Sequence, residues 1–234
     1  MSYAGRRRPA HPLTRRGPVD LKLLFPLLLV AVGCGGGQRS DTTPAPADTL
    51  PPPTLPLATE RLAGQPIAVL PLTLVVADST LASGELFRNR TVLLAWADSI
   101  VGEKLMARAP EIDWKLPPDL RAIARRSPGV VTDPDRMGQA VMRSPELDVI
   151  PDPFRSHLRS LVAISGGRYA LVPAALVFRQ PEPGLVRTEF MIVLGDARSG
   201  QVLWRTLANA AGGTPAAALE ATMDAVLPIR GIEP

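Results

Sequence analysis

Only one cysteine, Cys34, occurs among the 234 residues, so no disulfide can close within the chain and whatever folds must be held by a hydrophobic core. With 46% hydrophobic and 21% charged residues, the chain can supply one such core of ordinary size plus appendages. The first part of the sequence is not that core. An Arg-rich start leads into the apolar run LLFPLLLVAV at 23–32, which ends in small residues at Gly33. A membrane-crossing helix needs ~20 apolar residues; this run has about half of that and contains Pro26, so it reads as the centre of a secretory signal. Charge divides at the same place. Six of the 26 basic residues and one of the 22 acidic ones precede Cys34, which leaves 20 and 21 and a net charge of −1 behind it. The basic excess that would suggest nucleic acid belongs to the signal, and a nucleic-acid partner is not expected.

The single cysteine stands directly after this signal. Ala31-Val32-Gly33-Cys34 resembles the lipobox of bacterial lipoproteins, with Ala31 where Leu is commoner. The resemblance implies that a diacylglyceryl group is attached to the Cys34 sulfur, that cleavage follows Gly33, and that the mature chain holds to a lipid bilayer through acylated Cys34. Acyl chains contribute ~0.8 kcal/mol per buried CH₂, so two or three of them retain a protein firmly. By the lipoprotein sorting rule, Gly35 rather than Asp implies the outer membrane, facing the periplasm. Arg15-Arg16 resembles a twin-arginine signal weakly, since Gly17-Pro18 stands where a hydrophobic pair is expected. Residues 35–58 are Gly-rich and then Pro-rich and are expected not to fold. About two dozen residues of polyproline II at ~3.1 Å each reach on the order of 70 Å. The glycine run is not a phosphate loop, because no Lys-Ser/Thr follows it. The expected organisation is a signal at 1–33, a lipidated Cys34 with a disordered tether at 34–58, and one periplasmic domain at 59–234.

Within 59–234 the periodicity predicts an α+β domain, a mixed sheet with a C-terminal antiparallel meander and helices packed on one face. Residues 66–77 (PIAVLPLTLVVA) read as one buried strand, and 78–90 as a surface loop. Leu93, Ala97, Ile100, Val101, Leu105 and Met106 recur at helical spacing before Pro110, which gives a helix over 91–108. A short strand at 112–114 and a helix opened by Pro117-Pro118-Asp119 follow. Asp133-Pro134 and Asp152-Pro153 each read as an Asp cap with Pro at the first helical position. The second helix carries Phe154, Leu158, Leu161 and Val162 on one face and stops at Gly166-Gly167. Three strands, 169–178, 186–194 and 202–208, are separated by turns at 181–184 and 196–200, and an Ala-rich helix at 215–227 ends the pattern.

The segments PIAVLPL, SGGRYALVPAALVF and DARSGQVLWR occur together in a group that this chain resembles: periplasmic domains related to the curli secretion lipoprotein, the lipoprotein activators of penicillin-binding proteins, and the amino-terminal domain of the Tol-Pal translocation protein. The resemblance does not extend to the middle, residues 111–151. Its most specific piece is Asp196-Ala197-Arg198-Ser199-Gly200 with Trp204, where Ser199 replaces the commoner Thr. Asp196 and Ser199 can bond turn amides, Gly200 can supply positive φ, and Trp204 can pack on the sheet, so this is a structural turn motif. The group implies envelope scaffolding or regulation by protein contact and carries no catalytic residue across.

The residues themselves suggest no catalytic site, metal site, cofactor or small-molecule substrate. His157 is the one histidine behind the signal and shares a helix side with Arg155 and Arg159, which reads as a solvated surface position. Neither Gly-x-Ser-x-Gly nor Cys/His spacing is present to join it. Asp133, Asp135, Asp148 and Asp152 lack the alternating oxygens of a Ca²⁺ loop and read as caps. Arg121, Arg125 and Arg126 form a small basic face for lipid headgroups or an acidic partner, and Trp96, Trp114 and Trp204 read as core. The expected function is a non-enzymatic, membrane-anchored binding, scaffold or regulatory domain of the cell envelope, with an envelope protein or its own copies as partner. The alternative is a subunit of an oligomeric outer-membrane secretion or transport assembly, which requires hairpins of about nine to eleven alternating residues per strand.

Overall fold

Residues 53–228 are described by a computed structural model and all fall in one unit, Asp48–Pro234. Ala31, Val32, Gly33 and Cys34 lie outside the described residues. The chain runs β1 (Pro66–Val69), β2 (Val75–Ala77), α1 (Ser79–Ala82), α2 (Glu85–Arg88), α3 (Arg90–Arg108), β3 (Asp113–Lys115), α4 (Pro117–Arg126), α5 (Phe154–Ile164), β4 (Tyr169–Glu182), β5 (Leu185–Asp196), β6 (Val202–Gly212) and α6 (Pro215–Val226). Turns of 3-10 helix stand at Thr59–Arg61, Pro134–Arg136 and Gln139–Arg143.

Two prolines shape the sheet. The apolar stretch 66–77 was expected as one strand, but Pro71 has no amide proton to give to a ladder, and the pairing with β4 breaks between Val69–Leu171 and Val75–Leu176, a span of β4 that holds Pro173. The stretch is therefore split. β1 and β2 both run parallel to β4, β1 against Tyr169, Ala170 and Leu171, and β2 against Leu176, Val177 and Phe178. Side chains satisfy carbonyls at the break: Gln139 Nε2 donates to Pro71 O at 3.2 Å and Arg143 Nε to Ala174 O at 3.0 Å. β3 adds in parallel outside β1, and β4, β5 and β6 form the antiparallel meander, giving the order β3-β1-β4-β5-β6. The α+β class and mixed sheet are those expected from the sequence. The meander strands extend further than their apolar cores suggested, to 14, 12 and 11 residues.

The helices divide between both faces of the sheet. Because side chains alternate along a strand, Ile67, Val69 and Leu171 join one cluster with α3 and α6, while Ala68, Leu70, Ala170 and Val172 join another with α4 and α5. One covered face would leave the second set in water; the continuous apolar run of β1 is the pattern of a strand buried on both sides. The α3–α6 layer is clasped by Lys104 and Arg108, both within 3.1 Å of Asp224.

Three further expectations change. The stretch 78–90 is two short helices rather than a loop: Asp78 caps α1 through Leu81 N, and Phe87 meets the Phe178 ring edge-on at 5.7 Å. The tether stops short of residue 58. Leu55 N donates to Thr206 Oγ1, Thr54 Oγ1 accepts from Asn209 N, and buried Leu57 donates its amide to Val226 O, so 54–57 lies along β6 and α6. Asp152 is not a cap; Pro153 takes the position before α5, and no side chain caps that helix.

Candidate functional site

The turn between β5 and β6 is organised around one carboxylate. Asp196 Oδ1 accepts from Arg198 N at 2.8 Å and Ser199 N at 3.1 Å, the local arrangement that Asp makes with amides just ahead of it. Ser199 Oγ accepts from Gln201 N, and Gly200 sits at φ 81°. Any larger residue at Gly200 would also strike Arg155, whose Nε would lie 2.5 Å from an added Cβ. Asp196 Oδ2 takes a fork from Arg168, Nη2 at 2.6 Å and Nε at 2.9 Å. Burial alone would raise the Asp196 pKa, but the Arg168 fork and the turn amides outweigh it and hold the carboxyl at about 2. Trp204, opposite Leu194 on the inner face, packs against the α3–α6 core with its Nε1 sealed from solvent and without a hydrogen-bond partner.

The turn lies against α5, and the end of α5 explains how. Gly166 N donates to Ala163 O, Gly167 N to Val162 O, and Gly166 adopts φ 79°, the paired bonds of a glycine-terminated helix. Gly167 must be small as well, since an added Cβ would stand 2.6 Å from Pro66 O. This exit brings Arg168 under the turn, where its carbonyl accepts from Ala197 N. Between α5 and the turn is a cleft of about 210 Å³, with Val162, Ala163, Gly167 and Ala197 along it and Arg159, Arg168 and Arg198 around it. A second notch of about 250 Å³ continues it along α5 past Arg159 to Arg155, Ser156 and Asp152. Among the described residues, Arg155, Arg159 and Arg198 have no carboxylate in ion-pair contact. Arg155 instead donates to the Arg198 carbonyl at 3.4 Å.

The other candidates are dispersed. His157 is half-buried, not solvated, and its Nδ1 is sealed from solvent without a hydrogen-bond partner. Arg121 leaves the expected basic face: it forks both oxygens of Asp135 at 2.8 Å and reaches Asp98 at 3.2 Å. Asp98, on α3, also accepts from Leu72 N at 2.8 Å, so one carboxylate ties α3 and α4 to the break between β1 and β2. Burial pushes Asp98 up to about 6 against the pull of Leu72 N and Arg121. Of the four aspartates read as caps, Asp133 accepts from Asp135 N at 3.1 Å, Asp135 serves Arg121, and Asp148 bonds Val202 N through its backbone carbonyl. No group of three His, Cys, Asp or Glu that could hold a metal occurs among the described residues. Trp114 is buried with Nε1 on Ala109 O, and half-buried Trp96 packs on Phe178 at 6.0 Å.

No family model matches the chain, and no curated protein does. Several solved structures are similar to it. The C-terminal domain of LpoB from Salmonella enterica has 13% identity and a TM-score of 0.34, over 64% of this chain and 82% of that one. A PelC dodecamer from Paraburkholderia phytofirmans has 13% identity and a TM-score of 0.35, over 75% and 96%. Escherichia coli LpoB, solved by NMR, has 12% identity and a TM-score of 0.34, over 87% and 90%.

The arginines of the α5 face were not assigned a role from sequence. Arg155 and Arg159 are four apart, the spacing that stacks side chains on one helix face, but Arg168 and Arg198 come from separate loops. Only the turn docked on α5 brings the four together. The Asp98–Arg121–Asp135 group was equally hidden, its members being 14 to 37 positions apart.

Proposed function

We propose that the chain is a membrane-anchored lipoprotein of the cell envelope, periplasm-facing on the outer membrane, whose α+β domain acts without catalysis by binding another protein. The observation that carries the binding role is the α5 face. Four arginines line it, Asp196 is already occupied by Arg168 and two turn amides, and Asp152 at the end of the second notch makes no ion pair with Arg155 or Arg159. Such a face is suited to contact with an anionic surface and offers no nucleophile and base in hydrogen-bond reach of each other. The anchor reading is supported by the place of Cys34, directly behind an apolar run and ahead of a Pro-rich segment. No helix among the described residues is long and apolar enough to cross a membrane.

The test compares the wild-type chain with Cys34→Ala in a Gram-negative host. Wild type is expected to incorporate labelled palmitate and to fractionate with membranes, and the variant to do neither. Cross-linking of wild-type cells is expected to give a discrete adduct, with a protein partner or with further copies of the chain. Cells that yield only free monomer would overturn the binding role.

A further inference from the structure

The cleft on the α5 face has two properties that together define what can occupy it, given the protein-binding reading on which this inference rests. The first is size. At about 210 Å³ it is smaller than the ~300 Å³ at which ligand pockets usually begin, so it admits one large side chain rather than a whole cofactor. The second is chemistry. Its long side is apolar, with Val162 and Ala197 each 1% exposed, while exposed Arg159 and Arg198 stand at the rim with Arg168, itself half-exposed. A charged group seated against that wall would lose water without a partner. An apolar side chain would not.

The rim is cationic and under-neutralised. Arg168 spends its fork on Asp196, and Arg155 leans on the Arg198 carbonyl, so Arg159 and Arg198 are left with free donor edges. Guanidinium groups bind carboxylates through two parallel hydrogen bonds, and like charges gathered on one rim repel until an anion joins them. We propose that the cleft is the docking site for an acidic segment of a partner protein: one bulky apolar side chain seats between α5 and the turn, and flanking Asp or Glu carboxylates are forked by Arg159 and Arg198. Arg155 lies one helical turn further along and extends the cationic track toward the second notch.

The test uses the full chain in detergent and a fluorescein-labelled peptide, Asp-Glu-Leu-Phe-Glu-Asp, read by anisotropy. Saturable binding is expected, weakened by salt. Arg159→Glu combined with Arg198→Glu should lower affinity by about tenfold or more, and Arg159→Lys by less, because it keeps the charge and loses the fork. Both side chains are exposed, so circular dichroism should show the folded state unchanged. The proposal is overturned by equal binding of Lys-Lys-Leu-Phe-Lys-Lys, or by undiminished affinity in the folded double variant. It is also overturned if Asp-Glu-Ser-Ser-Glu-Asp binds as well and inorganic phosphate at equal concentration displaces it, which reduces the cleft to a plain anion site. The two readings separate cleanly: a cellular adduct that persists in the double variant sinks the cleft and leaves the binding role, whereas the loss of every adduct in wild type sinks the binding role.

Discussion

The two faces of the β4–β6 meander are made from the same three strands and meet opposite fates. Inward, Phe178, Val186, Phe190, Ile192 and Ala208 are buried beneath α3 and α6. Outward, Val193 is buried in the α4–α5 cluster, but Val177, Glu189, Met191, Leu207 and Asn209 are only half-covered, and Arg179, Arg187 and Leu203 are exposed. The parallel side of the sheet differs from both, since α4 and α5 close its second face over Ala68, Leu70, Ala170 and Val172. Where the sheet is covered once, the sequence alternates; where it is covered twice, the apolar run is continuous. Burial is therefore concentrated under the helices on both faces, and the half-covered outer stretch of the meander adds little to it.

Substitutions on the two faces should separate sharply. Phe190→Ala empties a fully buried site and should cost about 3–5 kcal/mol by denaturant unfolding; a loss under about 1 kcal/mol would show that the inner face is not the core described. Asp196→Ala leaves two turn amides and the Arg168 fork without their acceptor and should cost about 2–3 kcal/mol. The two buried carboxylates should also respond to pH in opposite directions. Asp196 has a folded pKa of about 2, so its stabilising effect is present above its ordinary range and is lost as pH falls through about 2. Asp98 is raised from 3.8 to about 6, so its contribution is full in acid and is lost as pH rises through about 6. Between about pH 7 and about pH 5, wild type should gain roughly 1 kcal/mol relative to Asp98→Asn. Parallel pH profiles for the two proteins would remove Asp98 from the account. The smallest effect belongs to the outer face: Leu203, 48% exposed, should tolerate Ser within about 0.5 kcal/mol. A loss comparable to Phe190→Ala would mean that this face is covered in the protein.

What could be read in advance was whatever has a local cause. Pro117 opens α4, Gly166-Gly167 ends α5, and the spacing from Leu93 to Leu105 produces α3, so these elements stand where the sequence placed them. What could not be read depends on distant partners. Nothing near Pro71 reveals that Pro173 lies in the span of β4 where the pairing breaks, and without that break 66–77 looks like one strand. The second helical layer was missed for a related reason: Ala68 and Leu70 show that β1 is buried twice, but not which helices bury it. Leu57 was hidden inside a Pro-rich stretch whose composition reads as unfolded, although the residue is only 5% exposed. In the candidate site, Asp196, Ser199 and Gly200 form one contiguous motif, whereas Arg159 and Arg198 meet only because the turn docks on α5.

The proposed binding role depends on where the domain is held, and the proposal puts that on the sulfur of Cys34. Intact-mass analysis of the chain extracted from host membranes measures it directly. A polypeptide beginning at Cys34 and heavier by its acyl groups is the predicted result. An unacylated chain, or one cut at another residue and recovered free of membrane, would contradict the account.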